Sequence, residues 1–243
     1  MLRTYRDRAI VLRTYKLGEA DRIVVLLGQT SGQIRAVAKG VRRTNSKFGA
    51  RLGPFNVVDV QLHRGRHLDT VTQVEMLGGY AAPLGADYEG FTAAKVMAEA
   101  TQKLTEDADQ AGAEYFGLLH GAIGSLAARR HPPRLITASF LLRLMSAAGW
   151  PPALEGCTVC GAPLAGGFAP DLGGTVCGDC SSVGTLPLSE DGRLQMRALA
   201  AGDWAAASAL PETAGAESLR SAVAWTQYHL EQKLRSYPFL AAI

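Results

Sequence analysis

The stretch Ile10-Val11-Leu12-Arg13-Thr14-Tyr15-Lys16-Leu17-Gly18-Glu19-Ala20-Asp21-Arg22-Ile23-Val24-Val25-Leu26-Leu27 decides how the first half of the chain is read. Two β-branched and apolar runs flank a short polar connection, so they read as consecutive strands. Gln29-Thr30-Ser31-Gly32 follows as a turn, because Gly accepts positive φ and Thr and Ser bond the local backbone. Farther out, Ile34-Arg35-Ala36-Val37-Ala38-Lys39 mixes apolar and basic side chains. Val58, Val60 and Leu62 alternate with Asp59 and Gln61, the period of a half-buried strand, and a fifth run spans Leu68 to Leu77. Five short strands with turn signals between them predict a small barrel or sandwich over residues 1–80. An oligonucleotide-binding (OB) barrel has five strands, but strand count alone does not separate it from an SH3-like barrel.

After Gly78-Gly79 the texture turns alanine-rich and helical, and residues 81–243 read as a second, helical domain. Ala93, Met97, Ala100 and Leu104 share one helical face; Phe116, Leu119, Ile123 and Leu126 share another. A third helix is expected from Pro132-Pro133 to Gly149, with apolar residues all round its axis, as suits the centre of a bundle. A last helix carries Leu219, Val223, Leu230 and Leu234 and ends before Pro238.

All four cysteines fall in one pattern inside the helical half. Cys157-Thr158-Val159-Cys160 is followed, after sixteen residues, by Cys177-Gly178-Asp179-Cys180. Paired C-x2-C knuckles at this separation suit a four-thiolate zinc site. Gly156, Gly161 and Gly178 sit where the backbone turns toward the metal, and the region from about 153 to 184 reads as a zinc ribbon. Two disulfides would need an oxidising compartment, and a redox dithiol explains only one of the two pairs. Four thiolates close the coordination sphere, so the expected Zn2+ is structural and single.

The net charge of +3 hides an asymmetry: residues 1–80 hold 14 Lys+Arg against 6 Asp+Glu, and residues 81–243 hold 11 against 16. From Arg22 to Val58 there is no acidic residue, while Arg22, Arg35, Lys39, Arg42, Arg43, Lys47 and Arg51 are all basic. A pliable loop with this charge is expected to meet a polyanion. Phe48 either stacks on a base or packs into the barrel; packing is the better expectation for that residue alone. No phosphate-binding G-x-x-x-x-G-K-[ST] loop, G-x-G-x-x-G, H-E-x-x-H or G-x-S-x-G motif occurs. The five histidines are scattered, and Glu19 with Asp21 is the only close acidic pair near the basic segment. A binding protein without a catalytic centre is therefore expected. The alternatives are a Mg-dependent nuclease using Glu19 and Asp21, or an RNA-binding zinc protein. No apolar run reaches the 18 or so residues of a membrane span. No apolar signal core follows the basic amino terminus, so a cytoplasmic protein without membrane association is expected.

The chain resembles the RecO family of bacterial recombination mediators. The residues that carry the likeness are Lys16-Leu17-Gly18-Glu19-Ala20-Asp21-Arg22-Ile23-Val24, Ala36-Val37-Ala38-Lys39-Gly40-Val41-Arg42-Arg43 and Leu52-Gly53-Pro54-Phe55. The resemblance implies an amino-terminal OB barrel and a helical carboxy-terminal domain bearing a zinc-ribbon module. It also implies binding of single- and double-stranded DNA, annealing of complementary strands and association with RecR. With RecR, such a protein helps load RecA onto DNA coated by single-stranded-DNA-binding protein, whose acidic tail docks on the helical domain. By position, the DNA-contact candidates are Arg13, Lys16, Arg22, Lys39, Arg42, Arg43, Lys47 and Arg51; Arg35, which strand alternation places on one face with Lys39, is a further candidate. Arg129, Arg130, Arg134 and Arg143 are the candidates for the tail. The implied place of work is the cytoplasm, at the nucleoid.

Overall fold

The computed structural model describes residues 3–44, 46, 48–106, 112–163 and 166–242. Five strands, β1 (Thr4–Leu17), β2 (Asp21–Gly28), β3 (Gly32–Ala38), β4 (Val57–His63) and β5 (Asp69–Gly78), form a closed barrel in the order β1-β2-β3-β5-β4. Closure comes from antiparallel pairing of the first half of β1 with β4, from Thr4↔His63 to Ile10↔Val57. Beyond a bulge between Val11 and Arg13, the second half of β1 continues as a hairpin with β2. Alternate residues fill the interior: Ala9, Val11, Val24, Leu26, Ile34, Ala36, Val58, Val60, Leu62, Val71 and Val74.

The runs Ile10–Leu12 and Val24–Leu27 are apolar without alternation because both of their faces are buried. Helix α3 (Gly112–Ala127) packs on β1, β2 and β3 and covers one end of their outer surface. Helices α1 (Ala81–Gly85) and α2 (Tyr88–Leu104) join it. The linker from β3 to β4 is pinned by Asn56, which is buried. Its amide donates to the Ala50 and Arg51 carbonyls, and its Oδ1 accepts the Ala81 N–H. The next residue back, Phe55, sits at φ +72 with its side chain buried edge-on to Phe91, 5.5 Å between ring centres. Burial of the ring offsets the cost, about 1–2 kcal/mol, of a left-handed conformation at a residue with a Cβ.

By contacts the chain divides into two compact units, one ending at Ala128 and the other starting at Arg129. The division expected from texture, at 80/81, marks the change from strand to helix. The compact unit runs farther because α1, α2 and α3 bury their apolar faces with the barrel.

The second unit is built on α4 (Pro133–Ala147), whose residues from Leu135 to Leu142 are all buried, as expected for a central helix. It packs against α5 (Glu190–Ala201) and α7 (Glu212–His229), with the short α6 (Trp204–Ser208) and α8 (Tyr237–Ala241) completing the unit. The sequence pattern did not single out α5. Its signals are the Ser189 cap, whose Oγ accepts the Gly192 N–H, and two acidic residues in the first turn. The helix that carries Leu219 and Val223, α7, is shorter than expected, and Pro238, expected to lie beyond the last helix, sits in the first turn of α8. Helix α7 stops at His229, because Glu231 adopts φ +52, so Leu230 and Leu234 lie beyond it, although Leu234 is still buried. Between α4 and α5, strands β6 (Gly167–Ala169), β7 (Gly174–Val176) and β8 (Leu186–Pro187) form a small sheet in the order β7-β6-β8, so the ribbon runs slightly past residue 184.

Candidate nucleic-acid interface and metal centre

Cross-strand register turns scattered cations into a surface. Arg13 lies opposite Val25, and Val25 opposite Arg35, so one row across β1, β2 and β3 carries an arginine at each edge. One step along, Tyr15, Ile23 and Val37 form the adjoining row on the same outer face. The Arg13 guanidinium sits 4.8 Å over the Tyr15 ring, which is 37% exposed. An exposed aromatic among cations on a barrel face is the arrangement that tracks a single strand by stacking and charge. Sequence reasoning did not pick out Tyr15, because its neighbours Ile23 and Val37 are defined only by register.

At the hairpin end, Lys16 pairs directly with Arg22, and Arg22 lies opposite Ala38, next to Lys39. Like charges facing across a ladder destabilise it unless an anion screens them. The turn after β3 is sewn to this hairpin. The Gly40 N–H donates to Asp21 Oδ1 at 2.7 Å, the Arg42 N–H donates to the Ala20 carbonyl, and Arg42 Nη1 donates to the Gly18 carbonyl at 3.0 Å. Arg42 and Arg43 are exposed on a turn held against the Gly18–Asp21 connection of the hairpin. Asp21 thus has a structural role as an acceptor for the turn. Arg51 points elsewhere, donating through Nη1 to the Val74 carbonyl of β5. Phe48 packs, partly buried, against the barrel core. Lys47 lies outside the described residues.

In the second unit the four arginines proposed for a partner's tail do not share one face. Arg134 and Arg143 are nine residues apart on α4, a rotation of about 180°. Arg134, with Arg220, lies close enough to Tyr237 to act on its phenol, while Arg143 lies beside Gly202 at the end of α5. Arg129 and Arg130 are exposed where the chain enters α4, and His131 beside them stacks on Trp204 at 4.1 Å.

The metal centre is compact. The Sγ atoms of Cys157, Cys160, Cys177 and Cys180 all lie within 4.8 Å of one another, the only such group of metal-ligating side chains among the described residues. Cys160 and Cys177 Sγ are 3.7 Å apart. A disulfide needs about 2.0 Å, whereas a tetrahedron with metal–sulfur bonds of about 2.3 Å has edges of about 3.8 Å. The thiols therefore fit a tetrahedral metal and are not bonded to one another. Two tight turns present them: the Gly161 N–H donates to the Cys157 carbonyl with Gly161 at φ +76, and the Cys180 N–H donates to the Cys177 carbonyl. Backbone N–H groups of Cys160 and Cys177 hold the Cys157 thiol down to about 6, whereas hydrogen bonding with Cys177 and Cys160 pushes Cys180 up to about 12. A dication is what allows four such neighbours to ionise together.

The ribbon is anchored to its helices. Ala153 bridges to Gly174 so closely that a Cβ on Gly174 would lie 2.1 Å from the Ala153 carbonyl oxygen. Arg193 of α5, 7% exposed, forks onto Glu190 and donates to the Leu154 carbonyl at 2.7 Å. Phe168 of β6 packs edge-on to Trp225 of α7.

The family model described as Recombination protein O N terminal matches residues 1–80, and that described as Recombination protein O C terminal matches residues 85–238. The chain belongs to the recombination protein O family. Curated relatives agree over nearly full length. The DNA repair protein RecO of Cutibacterium acnes is 49% identical over 98% of both chains, and that of Nocardioides sp. is 43% identical over 97% of this chain and 98% of its own. That of Thermobifida fusca is 46% identical over 96% of both. Among the described residues no helix is long and apolar enough to cross a membrane.

Proposed function

We propose that the chain is a DNA repair and recombination mediator that binds single- and double-stranded DNA and anneals complementary strands. With RecR it would help load RecA onto DNA coated by single-stranded-DNA-binding protein, in the cytoplasm at the nucleoid. The observation that carries the reading is the outer face of β1–β3, where the row with Arg13 and Arg35 at its edges adjoins the row of Tyr15, Ile23 and Val37. Lys16, Arg22, Lys39, Arg42 and Arg43 come from the end of the β1–β2 hairpin and the turn after β3, and Lys47 and Arg51 belong to the same basic segment. Backbone charge and stacking suit sequence-tolerant binding. The Asp21 carboxylate serves the Gly40 N–H, which favours a binding protein over a Mg-dependent nuclease. The metal is Zn2+, held structurally by Cys157, Cys160, Cys177 and Cys180. Arg129, Arg130, Arg134 and Arg143 are proposed to meet the acidic tail of the coating protein, from more than one side of α4.

Fluorescence anisotropy on a labelled single strand at several salt concentrations tests the reading. If about four phosphates are neutralised, log K falls with log salt at a slope near −3. An R42A/R43A variant should bind more weakly, with a slope shallower by about 0.7 for each phosphate it no longer neutralises. Wild-type binding that ignores salt would reject the basic face as the site.

A further inference from the structure

A cleft of about 330 Å3 opens at the opposite end of β3 from the basic turn. It exists because β5 pairs with β3 only at Ala36 and Val37, so the earlier part of β3 has no β5 partner. Residues from both sides of this gap line the cleft: Gln33 and Arg35 of β3, Arg64 and His67 of the β4–β5 loop, Asp69 of β5 and Tyr5 of β1.

The site is built rather than incidental. The loop folds so tightly that a Cβ on Gly65 would fall 1.9 Å from the Leu68 carbonyl oxygen, and the Gly65 N–H donates to Asp69 Oδ1 at 3.0 Å. Tyr5 donates its hydroxyl to the other oxygen of Asp69 at 2.5 Å. Burial, and then that hydrogen bond, hold the phenol far above its ordinary range, so it stays protonated and the contact persists. The Arg64 backbone N–H donates to the Arg3 carbonyl, and its guanidinium lies 4.6 Å over the Tyr5 ring. Gln33 is fixed by the Thr105 hydroxyl donating to its Oε1. Two arginines and a histidine thus edge a pocket whose floor carries an aromatic ring and a carboxylate.

We infer that this cleft is a nucleotide subsite for a single strand, with a phosphate between Arg35 and Arg64 and the base beside the Tyr5–Arg64 pair and His67. The inference rests on the nucleic-acid reading above and adds a second anchoring point to it. The volume is at the small end of ligand pockets, about 300–1,000 Å3, as suits one nucleotide. A nucleotide carries its charge at one end and neutral donors and acceptors at the other, matching cations at the rim and Asp69 within. An acidic peptide would bring repeated carboxylates toward Asp69. Gly32 and Ala38, the ends of β3, are about 20 Å apart, within the reach of the 4–16 or so nucleotides an OB fold covers. One strand can therefore run from the cleft along β3 to Arg42 and Arg43.

The test compares wild type, R64A/H67A, R42A/R43A and the combined variant for binding an oligothymidylate of about 16 nucleotides, the upper footprint of an OB fold. Arg64 and His67 are exposed, so their removal leaves the barrel intact; melting curves check this. R64A/H67A should bind about tenfold more weakly, the scale of one charge-assisted hydrogen bond. Its salt slope should be shallower by about 0.7. The effects of the two double variants should add, as they do for separate sites. Strands carrying a photoreactive thymine should also cross-link to the peptide containing Arg64 and His67. If wild type does not bind, the nucleic-acid reading itself fails. If wild type binds and R42A/R43A weakens it while R64A/H67A matches wild type in affinity and slope, the cleft alone is refuted. Competition by a poly-glutamate peptide that R64A/H67A abolishes would assign the cleft to a protein partner and overturn the proposal.

Discussion

Loss of the metal should melt the ribbon and leave the barrel untouched. The ribbon's own apolar cluster is small: Cys157, Ala169 and Val176 are buried, with Ala162, Cys177 and Cys180 packed partly against them. Side chains of this number and size contribute about 5 kcal/mol. A structural zinc contributes about 10–16 kcal/mol in comparable small modules, so the metal outweighs the apolar cluster and the hydrogen-bonded sheet follows it. Chelation, or C177S, should abolish the hydrogen bonds from the Gly166 N–H to the Val176 carbonyl and from the Cys157 N–H to the Ala162 carbonyl. Their amides, protected to the level of global unfolding at about 5 kcal/mol or more, should then exchange more than about three decades faster. Hydrogen exchange read by mass spectrometry resolves this, with the strand Asp21–Gly28 as internal control. The second unit should also melt earlier. Freeing Phe168 from Trp225 costs on the scale of about 3–5 kcal/mol for removal of a core aromatic. Equal protection of residues 166–180 with and without metal would refute the reasoning.

Asp7 accepts the Thr30 and Ser31 N–H groups at the β2–β3 turn and is only 6% exposed. D7A should cost about 2–3 kcal/mol in urea unfolding by removing the charged acceptor of those hydrogen bonds; a change under about 0.5 kcal/mol would remove Asp7 from the account of the turn. Burial lowers His120 and His229 below the ordinary 6.5, so the unfolded chain binds more protons just under that pH. Stability should be full above about 6.5 and should fall as pH drops from there through the two folded values, then level off. H229Q should flatten the response of the second unit, and a wild-type profile flat between about pH 7 and 5 would contradict it.

What the residues dictated by themselves is what depends on local spacing. Alternation in Val58–Leu62 and the β-branched runs before and after Gly18 mark strands, because side chains on a pleated backbone switch faces at every residue. The two C-x2-C pairs mark a metal site, because each knuckle is a local turn. The acid-free run from Arg22 to Val58 marks a concentration of positive charge by composition alone. Helix α5 carries its signals in its cap and charged first turn rather than in a continuous apolar stripe, and the stop of α7 is set by the backbone of Glu231 at φ +52. Only tertiary pairing set Tyr15, Ile23 and Val37 in one row, since a shift of one residue in register would turn each to the other face. The cleft lay still further from view. Tyr5, Arg35, Arg64 and Asp69 come from four separate segments, and they meet because β5 begins opposite Ala36 and leaves the earlier residues of β3 without a β5 partner.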